Sequence, residues 1–357
     1  MGQQQEGGSH EVMEQRTAKD AKELHQRCIL VDAHSDMLCD VTPKRKQGRK
    51  AVIEEEWVPV MRKAGIDIRV AVIFVDWSHV PELALRDGLD MAAALHKEVD
   101  ESPGITQITK FEDIEKAKKD GKIGLILGME GAEPLGNDIE LLRIFHILGL
   151  RMLTLTHALR NYVADGVHFF PRTEGKPGGI TDFGVKVIEE CNSLGIVIDV
   201  SHLNEPGFWD AIEFTKYPLV ASHSNCRALQ DHPRCLTDDQ IKAVMGNGGV
   251  IGMNSASIFV DDKNPDLEHL LNHLDHIVEL GGIEHVGLGF DFCDYVLKYL
   301  DAETLAKLPN VAPVKGLYGD EEVPNVTEAL VKRGYSDQDI ELILGKNFLR
   351  VFKEVWK

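Results

Sequence analysis

Eight short apolar runs recur along this chain, at residues 29–33, 66–75, 123–129, 152–156, 196–200, 219–222, 250–253 and 286–290. They are rich in Val, Ile and Leu and do not alternate cleanly with polar residues, as expected for parallel strands buried on both faces. The segments between them, such as 183–194 and 270–280, place apolar residues at helical spacing. Thr237, followed by Asp238, Asp239 and Gln240, has the form of a capping box that opens another helix. Eight strand–helix steps in one chain predict an α/β fold, a closed (β/α)8 TIM barrel. A doubly wound open sheet is the alternative, and the eightfold count favours closure.

Three connections are long. Residues 39–56 carry the basic cluster Lys44, Arg45, Lys46, Arg49 and Lys50 and read as a solvated loop; residues 159–180 and 293–325 follow the fourth and eighth runs. Long loops after barrel strands fall on the face where active sites sit. The glycine-rich GNGGVIG at 246–252 reads as a tight turn into the seventh run. Residues 337–356 form an amphipathic helix that closes the fold, with Ile340, Ile343, Leu344, Phe348, Val351, Phe352 and Val355 on one face. No linker or repeat divides the chain, so 16–357 is expected to be a single barrel domain after a disordered tail at 1–15.

The ends of these runs are unusually polar. The first leads into His34 and Asp36, whose spacing puts both on one strand face. The third ends in Glu130, the fourth in His157, the fifth in His202, the sixth in His223 and the eighth in Asp291. Any one of these is best read as a loop histidine or a helix-capping acid. Asp32 and Asp199, inside the runs, read as buried structural acids. Four histidines and three carboxylates at the same step of the strand–helix period share one explanation, a metal centre at the rim. Imidazole and carboxylate without thiolate suit Zn²⁺, with Mn²⁺, Fe²⁺ or Co²⁺ as alternatives. HExxH, GxSxG and Walker A motifs are absent from the sequence.

Charge and cysteine content narrow the partners. Lys and Arg number 39 and Asp and Glu 58, a formal charge of −19, which repels phosphate backbones and argues against nucleic acid. Six scattered cysteines with no CxxC read as reduced thiols of a cytoplasmic protein. No apolar run is long enough to span a membrane, and the first residues have no signal-like apolar core.

Longer stretches carry a family resemblance. VDAHSD, GMEG, LTLTHALRN with ADG after it, GGITDFGVKVIEECNSLGIVIDVSH, ASHSNCRALQDHPR and LGKNFLRVF stand in order from residue 28 to 356. Together they resemble the membrane (renal-type) dipeptidases, binuclear zinc enzymes of the amidohydrolase superfamily, and more closely their soluble bacterial relatives. The resemblance implies two Zn²⁺ ions, with His34 and Asp36 on one, His202 and His223 on the other, and Glu130 bridging. It implies that His157 stabilises the oxyanion, that Arg234 grips the substrate's terminal carboxylate and that Asp291 passes the proton. The implied reaction is hydrolysis of L-Xaa-L-Xaa or L-Xaa-D-Xaa dipeptides by water activated between the ions, in a homodimer. A related activity on N-acyl amino acids or β-lactam-like amides, and a non-catalytic binding descendant, are the competing readings. Three places depart from the family pattern: Phe290-Asp291-Phe292-Cys293-Asp294, the Arg234-Cys235 pair, and Asp76-Trp77 after the second run. They leave the implied metal ligands intact and fall where substrate side chains would be read.

Overall fold

The computed structural model describes residues 18–169, 175–299, 305 and 311–357. The tail expected at 1–15, and parts of the long connections after the fourth and eighth runs, lie outside the described residues. All eight runs are strands: β1 (Leu30–Ser35), β2 (Ile66–Phe74), β4 (Ile123–Glu130), β5 (Leu150–Thr154), β6 (Val197–Asp199), β7 (Val220–Ala221), β8 (Val250–Met253) and β9 (Val286–Leu288). They pair in parallel in that order, and helices connect them. At the seam the Phe290 N–H donates to Asp32 Oδ1 (3.2 Å), which ties β9 back to β1. The sheet is thus a nearly closed (β/α)8 barrel, as the count of runs predicts.

A ninth strand, β3 (Ile105–Ile108), was not foreseen. It pairs with Ile123–Ile126 of β4, while β5 pairs with the same strand from Leu127 onward. Since β2 occupies the other edge of β4, β3 and β5 share one edge between them. ITQI is only four residues long and half polar, too short for a periodicity signal.

The runs do not alternate because both of their faces are apolar surroundings. Val31, Val70, Ile126, Met152, Val197, Val220 and Val250, one from each of seven strands, form a buried cluster inside the barrel. Their sequence neighbours Leu30, Ala71, Leu125, Leu153, Ile198 and Ile251 join a second cluster beneath the helices. The chain's last turns stopper the barrel at the strand beginnings. Phe348, Val351, Phe352 and Val355 enter the interior cluster. A Cβ at Gly345 would lie 2.2 Å from Ile29 O, so only glycine lets this helix seat there.

One expectation is corrected. The basic stretch 39–56 is not a solvated loop. Met37–Lys46 is helical, and Ile53–Trp57 forms a π turn that runs into the helix Val58–Ala64. Lys44 bonds Asp40 (2.6 Å) and also pairs with Glu56; half-buried Arg45 bonds Glu101 (2.8 Å) and also pairs with Glu98. The acids that neutralise Arg45 come from another helix, Ala84–Glu101, more than 50 residues away, so a local reading sees only the positive half. The capping box at Thr237, the helices Asp182–Leu194 and Leu267–Gly281 and the turn at Gly248 match expectation.

Truncating Phe348 to Ala should cost about 3–5 kcal/mol, the usual toll of an emptied aromatic core site. Urea unfolding followed by circular dichroism measures it; a loss below about 1 kcal/mol would show that the stopper is dispensable to the barrel.

Candidate metal centre

The polar strand ends converge. Glu130, the last residue of β4, is the hub. Its Oε1 lies 3.0 Å from His202 Nε2, 3.4 Å from His223 Nε2, 3.5 Å from His34 Nε2 and 4.0 Å from His157 Nε2. Three overlapping sets of donors lie within 4.8 Å of one another: His34, Glu130 and His223; Glu130, His157 and His202; His34, Asp36 and Asp291. All seven strand-end residues singled out from the sequence therefore meet in one place. Arg234 lies one layer back: its NH2 donates to His223 O (3.1 Å) and its guanidinium sits 5.4 Å from the ring of Phe259.

Local backbone features aim these groups. From Asp32 to Ser35 β1 takes three steps while β2 takes two from Arg69 to Ala71, a β-bulge of one extra residue. Asp32, before the bulge, pairs with buried Arg69 (2.9 Å), whereas His34 and Asp36, beyond it, join the donor cluster. His202 and Asp291 both hold positive φ, 66° and 56°. Such left-handed turns cost a non-glycine residue on the order of 1–3 kcal/mol and persist only where the surroundings fix them. A Cβ at Gly289 would fall 1.8 Å from Ser222 O, so the end of β9 presses directly against the residue that precedes His223.

Hydrogen bonds set the histidines' protons. Asp199 Oδ2 accepts from Ser222 Oγ (2.6 Å) and from Thr154 Oγ1 (2.6 Å). With its own proton committed to that carboxylate, the Ser222 hydroxyl can only accept from His223 Nδ1 (2.7 Å). His223 therefore carries its proton on Nδ1 and turns a lone pair on Nε2 toward Glu130, the orientation that metal-binding histidines are given by such partners. Its Nε2 is also 2.8 Å from Nε2 of His202. Asp199, read from sequence as a structural acid, is that and also the anchor of this relay.

Both nitrogens of His34, Nδ1 of His202 and Oδ1 of Asp36 are buried with no hydrogen-bond partner among the described residues. Burial pushes His34 down to about 3 and His202 and His223 well below the usual histidine range, so these rings are neutral and their nitrogens free to donate electron pairs. Burial, with repulsion among the carboxylates, pushes Glu130 and Asp36 far up, and burial raises Asp291 to about 6. Neutral imidazoles and carboxylate oxygens facing one point are the donors that suit a divalent cation. The residues fit such an ion.

Sequence reasoning missed Asn254 and the phenylalanines of the cavity wall, and it singled out Trp77 only as a departure from the family pattern. Asn254, just after β8, is buried and donates to Asp291 Oδ2 (2.9 Å). The strand-end rule that found the other groups would have found it. Trp77 Nε1 donates to His157 Nδ1 (3.1 Å). Phe169 and Phe259 join Phe74 and Trp77 in lining a cavity of about 510 Å³ that opens over Glu130, Asp36, His157, His202 and Asp291. No motif links these aromatic residues in the sequence. The cysteines Cys39 and Cys293 lie beside the centre but are held protonated, first by burial and then by the nearby carboxylates.

Comparison with known proteins shows the family and the fold. The family model described as membrane dipeptidase (peptidase family M19) matches residues 18–357. An uncharacterized protein in the pqqA 5' region of Klebsiella pneumoniae is 33% identical over 251 residues, 69% of this chain and 87% of that protein. The dipeptidase tcpJ of Claviceps purpurea is 33% identical over 251 residues, covering 69% of this chain but only 54% of its own length. A metallo peptidase from Rhodobacter sphaeroides, crystallised with a phosphinate mimic of the dipeptide L-Ala-D-Ala, superposes with a TM-score of 0.81 at 26% identity, covering 92% of this chain and 99% of that one.

A cation that binds only the folded site stabilises by about 4 kcal/mol at a thousandfold excess over its Kd. Chelation should therefore lower the thermal midpoint, by about 5 °C for a chain of this size. The sign with pH follows from the raised carboxyls: below about pH 4 they carry protons folded or unfolded, and as pH rises through about 6 the folded, metal-free site must ionise Asp291 in burial. The drop on chelation should be larger at pH 7.5 than at pH 5.5; melting curves with and without chelator at both values decide it, and an equal drop would refute the protonation assignment.

Proposed function

Because the chain belongs to the membrane dipeptidase family, and by that membership is a metallo-dipeptidase, we propose that it hydrolyses dipeptides with a free C-terminal carboxylate, L-Xaa-L-Xaa or L-Xaa-D-Xaa, using two zinc ions. The observation that carries this reading is the convergence of His34, Asp36, His202 and His223 with Glu130, in which both nitrogens of His34 and Oδ1 of Asp36 are buried with no partner among the described residues. His34 and Asp36 would hold one ion and His202 and His223 the other, with Glu130 shared. Bound there, the ions would lower the pKa of a water toward about 7 and polarise the scissile carbonyl.

The chain's own residues supply the rest. His157 directs Nε2 toward the same space and donates to the oxygen as it gains charge, a contact worth roughly 3 kcal/mol in such sites. Asp291, steadied by Asn254, takes the proton from water and delivers it to the leaving nitrogen, which otherwise departs poorly. Arg234 is buried, and among the described residues no carboxylate forms an ion pair with it. A guanidinium held out of water without an anion is costly, so a substrate carboxylate that reaches it gains both a partner and a bidentate geometry.

The cavity wall favours a dipeptide over an N-acyl amino acid. Asp36, Asp76, Glu130 and Asp291 line it, and among the described residues neither Lys nor Arg does. With three of these acids at the metal centre, Asp76 remains for the free ammonium group that an acylated substrate lacks. Phe74, Trp77, Phe169 and Phe259 offer apolar surface to the substrate side chains. The ligand in the Rhodobacter sphaeroides structure, a phosphinate mimic of L-Ala-D-Ala, supports a D residue at the C-terminal position. Residues 16–357 would act as one domain, as a homodimer by the family resemblance, and six unpaired thiols support a reducing, cytoplasmic location.

The test is a panel of L,L and L,D dipeptides against their N-acetylated counterparts, with metal content measured on the same sample. Turnover of free dipeptides with two equivalents of zinc is expected; activity confined to the acylated set would replace this reading with the related amidohydrolase. Asp291→Asn should lower kcat by about 10²–10⁴-fold. Arg234→Met should raise KM by roughly 10–100-fold, the loss of a charge-assisted contact; an unchanged KM would place the carboxylate elsewhere.

A further inference from the structure

We propose that Trp77 is a positioning residue: its indole N–H locks His157 with the proton on Nε2, which keeps His157 a hydrogen-bond donor to substrate and bars it from the metal ligand set. The inference rests on the role given to His157 above. An indole N–H can only donate. Trp77 Nε1 stands 3.1 Å from His157 Nδ1, so Nδ1 must present a lone pair, and the ring's single proton sits on Nε2.

That nitrogen faces the place where two demands compete. His157 Nε2 is 4.0 Å from Glu130 Oε1, and the His157 and His202 rings are 4.3 Å apart. Glu130, His157 and His202 are close enough to hold an ion by themselves. If the proton moved to Nδ1, Nε2 would offer a lone pair, either repelling a negatively charging oxygen or joining the metal. Trp77 removes that option from outside the donor cluster. The indole is itself held in place: it stacks on Phe169 at 22° with centroids 6.3 Å apart. Phe74 packs edge-on against the other side of the imidazole, at 4.8 Å.

Trp77→Phe separates this role from packing, because it keeps an aromatic ring against Phe169 and His157 and deletes only the N–H. Two measurements on the zinc-loaded protein read it. The first is the ¹⁵N resonance pair of His157 in histidine-labelled protein, assigned by its loss in His157→Gln. The wild type should show the Nε2–H pattern, and Trp77→Phe a mixture or the Nδ1–H pattern. The second is steady-state hydrolysis of a dipeptide: kcat should fall at least tenfold in Trp77→Phe while KM stays within about twofold, and Trp77→Leu should be no worse than Phe by more than a few-fold. An unchanged His157 pattern in Trp77→Phe overturns the inference whether or not the wild type hydrolyses dipeptides. A wild type without dipeptidase activity but with the pattern shift overturns the functional reading alone. Full activity in Trp77→Phe with loss only in Trp77→Leu would reduce Trp77 to packing.

Discussion

A buried carboxylate surrounded by imidazoles governs this molecule. Glu130 sits at the end of a central strand with three histidine nitrogens within 3.5 Å of one oxygen and two further acids nearby. Removed from water, an anion needs a cation or a proton, and neutral imidazoles supply neither. The site is thus in deficit of positive charge, which a divalent metal held by these residues would answer. Arg234 spends one of its donors on the carbonyl of His223 and leaves Nε without a partner among the described residues. Carboxylates short of positive charge thus lie near a guanidinium short of an anion, which borders a separate, smaller pocket.

The barrel's contribution is to make such a deficit tolerable. Its interior is apolar and stoppered by the last helix, so the polar residues are confined to the strand ends. There, regular geometry gives way: a bulge in β1, left-handed turns at His202 and Asp291, and glycine contacts at Ser222. Each departure redirects a side chain that the undistorted strand would aim elsewhere. The strain is carried by a scaffold of nine strands and their helices whose cores are large enough to bear it.

Much of this was readable in the chain, for a physical reason. Buried parallel strands must be apolar on both faces, so their length and repetition stand out, and any polar residue that ends one is conspicuous. His34, Asp36, Glu130, His157, His202, His223 and Asp291 were visible on that ground. Asn254 obeys the same rule but carries no charge or imidazole to draw attention. β3 was hidden because four half-polar residues have no period. The ion pairs of Arg45 with Glu98 and Glu101 were hidden because charge balance across 50 residues is a property of the fold. Arg234 could be placed near the site only through family resemblance; the sequence does not say that it lies behind Phe259.

The four histidines raise a question that residue type cannot answer: identical side chains around one carboxylate are assigned different work. The difference lies in what the other ring nitrogen meets. Nδ1 of His223 meets a hydroxyl whose proton is already given to Asp199, so it must donate, and Nε2 keeps a lone pair. Nδ1 of His157 meets an indole that can only donate, so it must accept, and Nε2 becomes a donor. Nδ1 of His34 and of His202 meets no partner among the described residues, but His202 Nε2 lies 2.8 Å from the lone pair on His223 Nε2 and so bears the proton, which leaves only His34 open to either tautomer. An oxygen backed by an acid and a nitrogen that bears a proton thus write opposite instructions on the same ring. The rings of His157 and His202 stand 4.3 Å apart, and of the two only His157 has its Nδ1 held by a partner among the described residues.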